Sequence, residues 1–179
     1  MRGSGHLFLF VQLPLLVPFF LPAGQVMDSG ARLMLASPDI DFLMRTVQGS
    51  LAEVRLGTLA VERAQDPNVK SFAQRMIEDH SKMIEQLRDI AKQRTMTLSD
   101  ILKASDQNEA LQLSKLLGGS FDIPYVKWAL KHHKAIVKQF QKEAKSGKDE
   151  TIRGFAAKAL TIEQQHMQML CSSRKPRND

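Results

Sequence analysis

The sequence carries one cysteine, Cys171, among its 179 residues. An intramolecular disulfide is therefore impossible, and Cys-rich zinc and redox motifs are excluded. Aromatic residues are scarce at 6%, with one Trp and one Tyr. Gly and Pro gather in the first forty residues and are sparse afterwards, which leaves few tight turns for a β fold. No Gly-x-Ser-x-Gly elbow, catalytic-cysteine context or phosphate loop is present, so nothing points to a hydrolase.

What remains is rich in helix formers. Leu, Ala, Lys, Gln, Glu and Met dominate after residue 39. With 43% hydrophobic residues the chain can bury the core of one domain. The formal charge is +6, but basic residues are interspersed with acids, as in Glu78-Asp79-His80-Ser81-Lys82. Such mixed runs read as solvated helix faces.

Residues 1–26 have the pattern of an export signal. Arg2 precedes an apolar stretch from Leu7 to Leu21, and Leu21-Pro22-Ala23 offers a small residue for cleavage. Pro14, Pro18 and Pro22 argue against a stable transmembrane helix, as does the short length of the run. No cysteine follows to carry a lipoprotein anchor, so membrane attachment is expected at most through an uncleaved signal. The expected location is periplasmic or secreted, which argues against a nucleic-acid partner. Residues 27–38 read as a flexible lead-in. Residues 172–179, with Arg174-Lys175-Pro176-Arg177, read as a disordered tail.

Residues 39–171 predict an all-α domain. Helix one is expected over Asp39–Gln65, with Ser37 as cap and Pro38 in the first turn. Asp66-Pro67 ends it and starts helix two, which runs to about Arg94 through Val69, Phe72, Met76, Met83, Leu87 and Ile90 at helical spacing. A long connection over 95–119 contains a short helix, capped by Asp106 with Glu109 and stopped by Gly118-Gly119. Helix three is expected over Phe121–Ser146 with Pro124 in its first turn, and Gly147 stops it. Asp149 caps helix four, which reaches about Cys171. Main helices of this length are roughly 40 Å long. Two tight hairpins joined by one long crossover predict a ferritin-like four-helix bundle.

Four histidines lie in the body. His80, His133 and His166 each share a face with apolar residues three, four or seven positions away, so they project toward the core. His132 is expected at a helix edge. Counting from the turns, Glu53, His80, His133, Glu163 and His166 all fall near mid-helix. Glu163 and His166 form a Glu-x-x-His pair, and Glu53 shares a stripe with the small residues Ser50, Gly57, Ala60 and Ala64. A di-iron carboxylate bundle needs more acids than this, and Ile77 stands where a helix-two Glu is required. The expected ligand set is therefore Glu53, His80, His133, Glu163 and His166, suited to one Fe, Mn, Zn or Cu ion. Met76, Met83, Met167 and Met169 lie near the histidines; thioethers favour copper, but Met at helical spacing usually fills core. A hydrogen-bonded packing network is the competing reading of the same residues.

Several elements carry a resemblance: Glu53-Val54-Arg55-Leu56-Gly57-Thr58-Leu59-Ala60, Val69-Lys70-Ser71-Phe72-Ala73, Met76-Ile77-Glu78-Asp79-His80, Phe121-Asp122-Ile123-Pro124-Tyr125, His133 and His166. Over Val47–Leu170 the chain resembles a family of exported bacterial proteins catalogued as a domain of unknown function and often labelled outer-membrane or ferritin-like. Members often have Pro at position 161, where this chain has Thr161. The resemblance implies a ferritin-like bundle in the cell envelope and no established activity. Two functions follow as expectations. One is a bundle binding a metal ion or small ligand; the other is a non-catalytic envelope structural or stress-protection protein. The sequence favours a non-enzyme, names no macromolecular partner and is compatible with a homo-oligomer.

Overall fold

The computed structural model describes residues 37–172; the signal segment, most of the lead-in and the residues after 172 lie outside that range. Five helices and no strand are found among the described residues. They are α1 (Ser37–Arg63), α2 (Pro67–Gln93), α3 (Ala104–Leu113), α4 (Gly119–Ser146) and α5 (Glu150–Ser172). α1 packs on α2 and α4, and α5 packs on α2 and α4, so the four long helices form a bundle.

Local chemistry sets the turns. Asp66 caps α2 by accepting a bond from the Asn68 N–H at 2.8 Å, with Pro67 at the first helical position. Asp149 does the same for α5 through the Ile152 N–H at 3.0 Å. Gly147 caps the end of α4 as expected; a Cβ there would lie 2.8 Å from the Glu143 carbonyl oxygen, so only glycine fits.

Carboxylates tie the two ends of the bundle. At one end Asp122, in the first turn of α4, accepts the N–H groups of Gln65 and Asp66 at 3.0 Å. At the other, Asp39 of α1 accepts those of Lys148 and Asp149 at 3.1 and 3.0 Å. Arg94, after α2, forks onto both oxygens of Asp149 before α5. These ties make α1 antiparallel to α4 and α2 antiparallel to α5. The chain therefore runs up, down, down, up, and the link carrying α3 returns it along the length of the bundle.

Three local expectations are corrected. Lys103, not Asp106, precedes α3, and Asp106 lies in its first turn. α3 ends at Leu113, well short of the glycines. Gly118 instead starts α4: its φ of +58° turns the chain, and its N–H bonds the Arg63 carbonyl at 2.9 Å. α4 then begins at Gly119, which leaves Pro124 inside the helix.

The apolar core falls into two parts. One contains Leu56, Phe72, Met76, Phe121, Tyr125 and Leu170. The other contains Phe42, Leu43, Met83, Leu87, Phe140 and Phe155, with the Phe42 ring edge-on to Phe140 at 5.1 Å. Between them, at mid-height, lies a layer of buried polar side chains: Ser50, Glu53, His80, His133, Glu163 and His166.

Candidate metal centre

Three helices deliver the layer. α2 carries His80, α4 carries His133, and α5 carries Glu163 and His166; none is more than 1% exposed. Each imidazole is held from behind by one ring nitrogen. His133 Nδ1 lies 2.8 Å from the Ala129 carbonyl one turn earlier in α4. A carbonyl only accepts, so Nδ1 carries the proton and Nε2 keeps its lone pair. His166 Nε2 lies 2.9 Å from Asp79 Oδ2. The carboxylate accepts that proton and leaves the His166 Nδ1 lone pair free. His80 Nδ1 lies 3.3 Å from Ser50 Oγ, whose own proton points to the Met83 sulfur at 3.6 Å. The hydroxyl oxygen then accepts from Nδ1, and Nε2 is left as the acceptor. The three tautomers follow from these outer partners.

The three free nitrogens face one carboxylate. Glu163 Oε1 lies 4.0 Å from His80 Nε2, while Oε2 lies 3.5 Å from His133 Nε2 and 3.8 Å from His166 Nδ1. One donor atom from each of the four residues falls within 4.8 Å of all the others. None of these inward nitrogens, and neither Glu163 oxygen, has a hydrogen-bond partner. Phe72 meets the rings of His133 and His166 edge-on at 6.0 and 6.4 Å.

Burial sets the charge states. It pushes His133 down to about 3, with Glu163 opposing and the neighbouring His80 adding to the shift. It holds His80 well below the usual histidine range, helped by His166 and His132. Both rings are thus neutral near pH 7, the form that ligates metal. Burial also opposes ionisation of Asp79, but hydrogen bonds from His166 and Arg75 prevail and keep its carboxyl below the ordinary value.

The structure brings four of the five expected residues together and places Glu53 beside them. Glu53 Oε1 stands 3.4 Å from His133 Nδ1, on the side already committed to Ala129, and 3.9 Å from His132 Nδ1. Burial, then the negative charges of Glu163 and Asp106, raise its carboxyl well above the usual range. His132, expected at an edge, is partly buried with its ring edge-on to Trp128 at 4.9 Å. Met76 and Met83 are core residues, and the Met83 sulfur lies 3.6 Å from Ser50 Oγ, the hydroxyl on the Nδ1 side of His80, away from its open Nε2.

Two supports escaped the sequence reading. Asp79, read as a solvated face, is only 8% exposed and anchors His166. Its position in the Glu78-Asp79-His80 element was the available signal. Ser50, noted only for its size, orients His80.

The family model described as Domain of unknown function (DUF4142) matches residues 25–172. The chain belongs to the DUF4142 family. No curated protein matches it. Three solved structures share its fold. A DUF305 fragment from Deinococcus radiodurans aligns with TM-score 0.69 and 12% identity, covering 78% of this DUF4142 chain and 96% of its own. A DUF305 protein from Streptomyces coelicolor, described as a candidate secreted protein, gives 0.66 and 12%, covering 76% and 89%. A conserved hypothetical protein from Mycobacterium tuberculosis gives 0.61 and 15%, covering 80% and 96%. At these identities the likeness is one of fold.

Proposed function

We propose that this DUF4142 chain is an exported, ferritin-like bundle that binds one transition-metal ion through His80, His133, Glu163 and His166. One observation carries the reading: a nitrogen from each of the three buried imidazoles and the Glu163 carboxylate face one another without hydrogen bonds, while the opposite ring nitrogens are all held. A packing network would pair these atoms with each other. An unpaired buried polar group costs about 1–3 kcal/mol, and five such atoms in one layer are too many for a merely structural role. Two donors bound at roughly 2.1 Å to one ion stand at most roughly 4 Å apart. The gaps of 3.5 to 4.0 Å around Glu163 fall within that limit, and the four donor atoms as a set, spread over up to 4.8 Å, need to close by about 1 Å or less to share one ion.

The donors are three nitrogens and one carboxylate, a set suited to Fe, Mn, Zn or Cu rather than Mg or Ca. Three imidazoles and one carboxylate do not by themselves set copper apart from the other three ions. One Glu among the donors falls short of a di-iron carboxylate site, so a single ion is the better fit. The ferritin-like assignment draws support from the up-down-down-up order and its single crossover. Export draws support from the signal pattern of residues 1–26 and from the described relative in Streptomyces coelicolor. No helix among the described residues is long and apolar enough to cross a membrane.

Thermal unfolding of the chelator-stripped protein tests the proposal. A ligand at roughly 100 times its Kd stabilises the native state by about 2.7 kcal/mol. At least one of the four divalent ions should raise Tm by several degrees, and His133→Gln should remove the rise. No shift with any of them would count against the proposal.

A further inference from the structure

We propose that the cavity between α1, α4 and the 94–118 link admits a small anion to the ion on the side of His80 and Glu163. This rests on the metal reading above and adds an external ligand to it.

The donors come from α2, α4 and α5, so α1 is the one long helix that contributes none. On that side lies a cavity of about 240 Å³. Of the four donor residues, only His80 and Glu163 line it. The gap between His80 Nε2 and Glu163 Oε1, at 4.0 Å, is also the widest of the three distances around the carboxylate. Gly49 of α1 helps keep the passage open: a Cβ there would press to 3.3 Å from His132 Nε2. The mouth reaches the surface between exposed Arg45, Lys103 and Ala135.

Size and charge define the guest. Liquid water occupies about 30 Å³ per molecule, so the space takes on the order of eight waters and lies below the roughly 300–1,000 Å³ of a drug-sized or nucleotide site. A divalent ion held by one carboxylate leaves a net positive charge in a dry layer, where a monoanion is the favoured partner. The two cations at the mouth outnumber the single carboxylate there, Asp106, and attract the same sign of guest. The class is a small monoanion of oxyanion or pseudohalide type, and azide is the probe. The rival occupant of the open position is Glu53, whose two oxygens have no hydrogen-bond partner.

The test uses the cobalt(II)-loaded protein and follows its visible ligand-field bands during an azide titration. The expected result is a saturable spectral change. Ala135→Trp, which narrows the mouth, and the double charge reversal Arg45→Glu with Lys103→Glu should each weaken azide roughly tenfold while cobalt content and the parent spectrum stay as they were. Stoichiometric cobalt with bands indifferent to azide overturns the anion proposal and leaves the metal site standing. If Glu53→Gln then shifts those bands, Glu53 fills the position instead. Failure to bind cobalt, with no Tm response to Fe, Mn, Zn or Cu either, overturns both.

Discussion

Asp79 Oδ2 lies 2.9 Å from His166 Nε2, and this bond turns the free nitrogen of His166 toward Glu163. Asp79 is itself held by Arg75 one turn earlier in α2. The pair therefore fixes the His166 ring from outside the cluster, the arrangement that carboxylates generally make behind metal-bound histidines.

Asp79→Asn should keep the fold and weaken metal binding about 10–100-fold. Competition against a chromophoric chelator measures this. An unchanged affinity would mean that His166 does not depend on Asp79 for its orientation.

Glu163→Leu separates the metal site from a packing network. Both Glu163 oxygens are buried without partners, and replacing such a group by an apolar one of similar shape is neutral or stabilising. The metal-free variant should be as stable as the parent or more so, by up to about 2 kcal/mol, and should lose its response to metal. Urea unfolding of both stripped proteins decides. A large loss of stability in the variant would favour the network.

The far end of the bundle predicts a pH effect of its own. Burial, then the hydrogen bond and negative charge of Asp39, raise Glu143 to about 7. Its folded pKa lies above the ordinary unfolded value near 4.3. The folded state therefore binds the extra proton, and its contribution to stability is present below about pH 4.3 and is lost as pH rises through about 7. Glu143→Gln cannot ionise. Its stability relative to the parent should be on the order of 1–3 kcal/mol more favourable at pH 8 than at pH 4. Denaturant midpoints at the two values check the sign.

The stripped site pulls the other way. His80 and His133 have folded pKa values depressed by burial. Their contribution is fully present above the ordinary histidine value near 6.5. It is lost as pH falls from there toward about 3 for His133. Protons also compete with metal for these nitrogens. Metal should therefore leave on acidification below about pH 6, and the stabilisation by metal should vanish with it. Tm measured with and without metal across that range follows the loss.

Gly118→Ala tests the crossover. With φ +58° and ψ −142°, Gly118 occupies a region that side chains avoid. The substitution should cost about 1–3 kcal/mol. Metal affinity should hold, because Gly118 sits at the end of the bundle and the donors at its middle.

Periodicity made much of this legible. The apolar spacing of α2, the Asp66-Pro67 start and the Asp149 cap mark the helices. Equal counting from the turns then puts His80, His133, Glu163 and His166 at one height. Residues whose roles depend on contacts across helices were less visible. Gly118 was read as a stop because its bond to the Arg63 carbonyl is tertiary. Asp79 reads as solvated because it lies in the mixed-charge run Glu78-Asp79-His80-Ser81-Lys82, and only the position of α5 reveals His166 beside it. Glu53 has the right height, but its oxygen approaches His133 from the Nδ1 side.

The most direct test of the account is the metal content of the protein, isolated from its own compartment without an affinity metal and measured by elemental mass spectrometry beside His80→Gln and Glu163→Leu. The account predicts about one transition-metal ion per chain in the parent and far less in both variants. An equal trace of metal in all three proteins would contradict it.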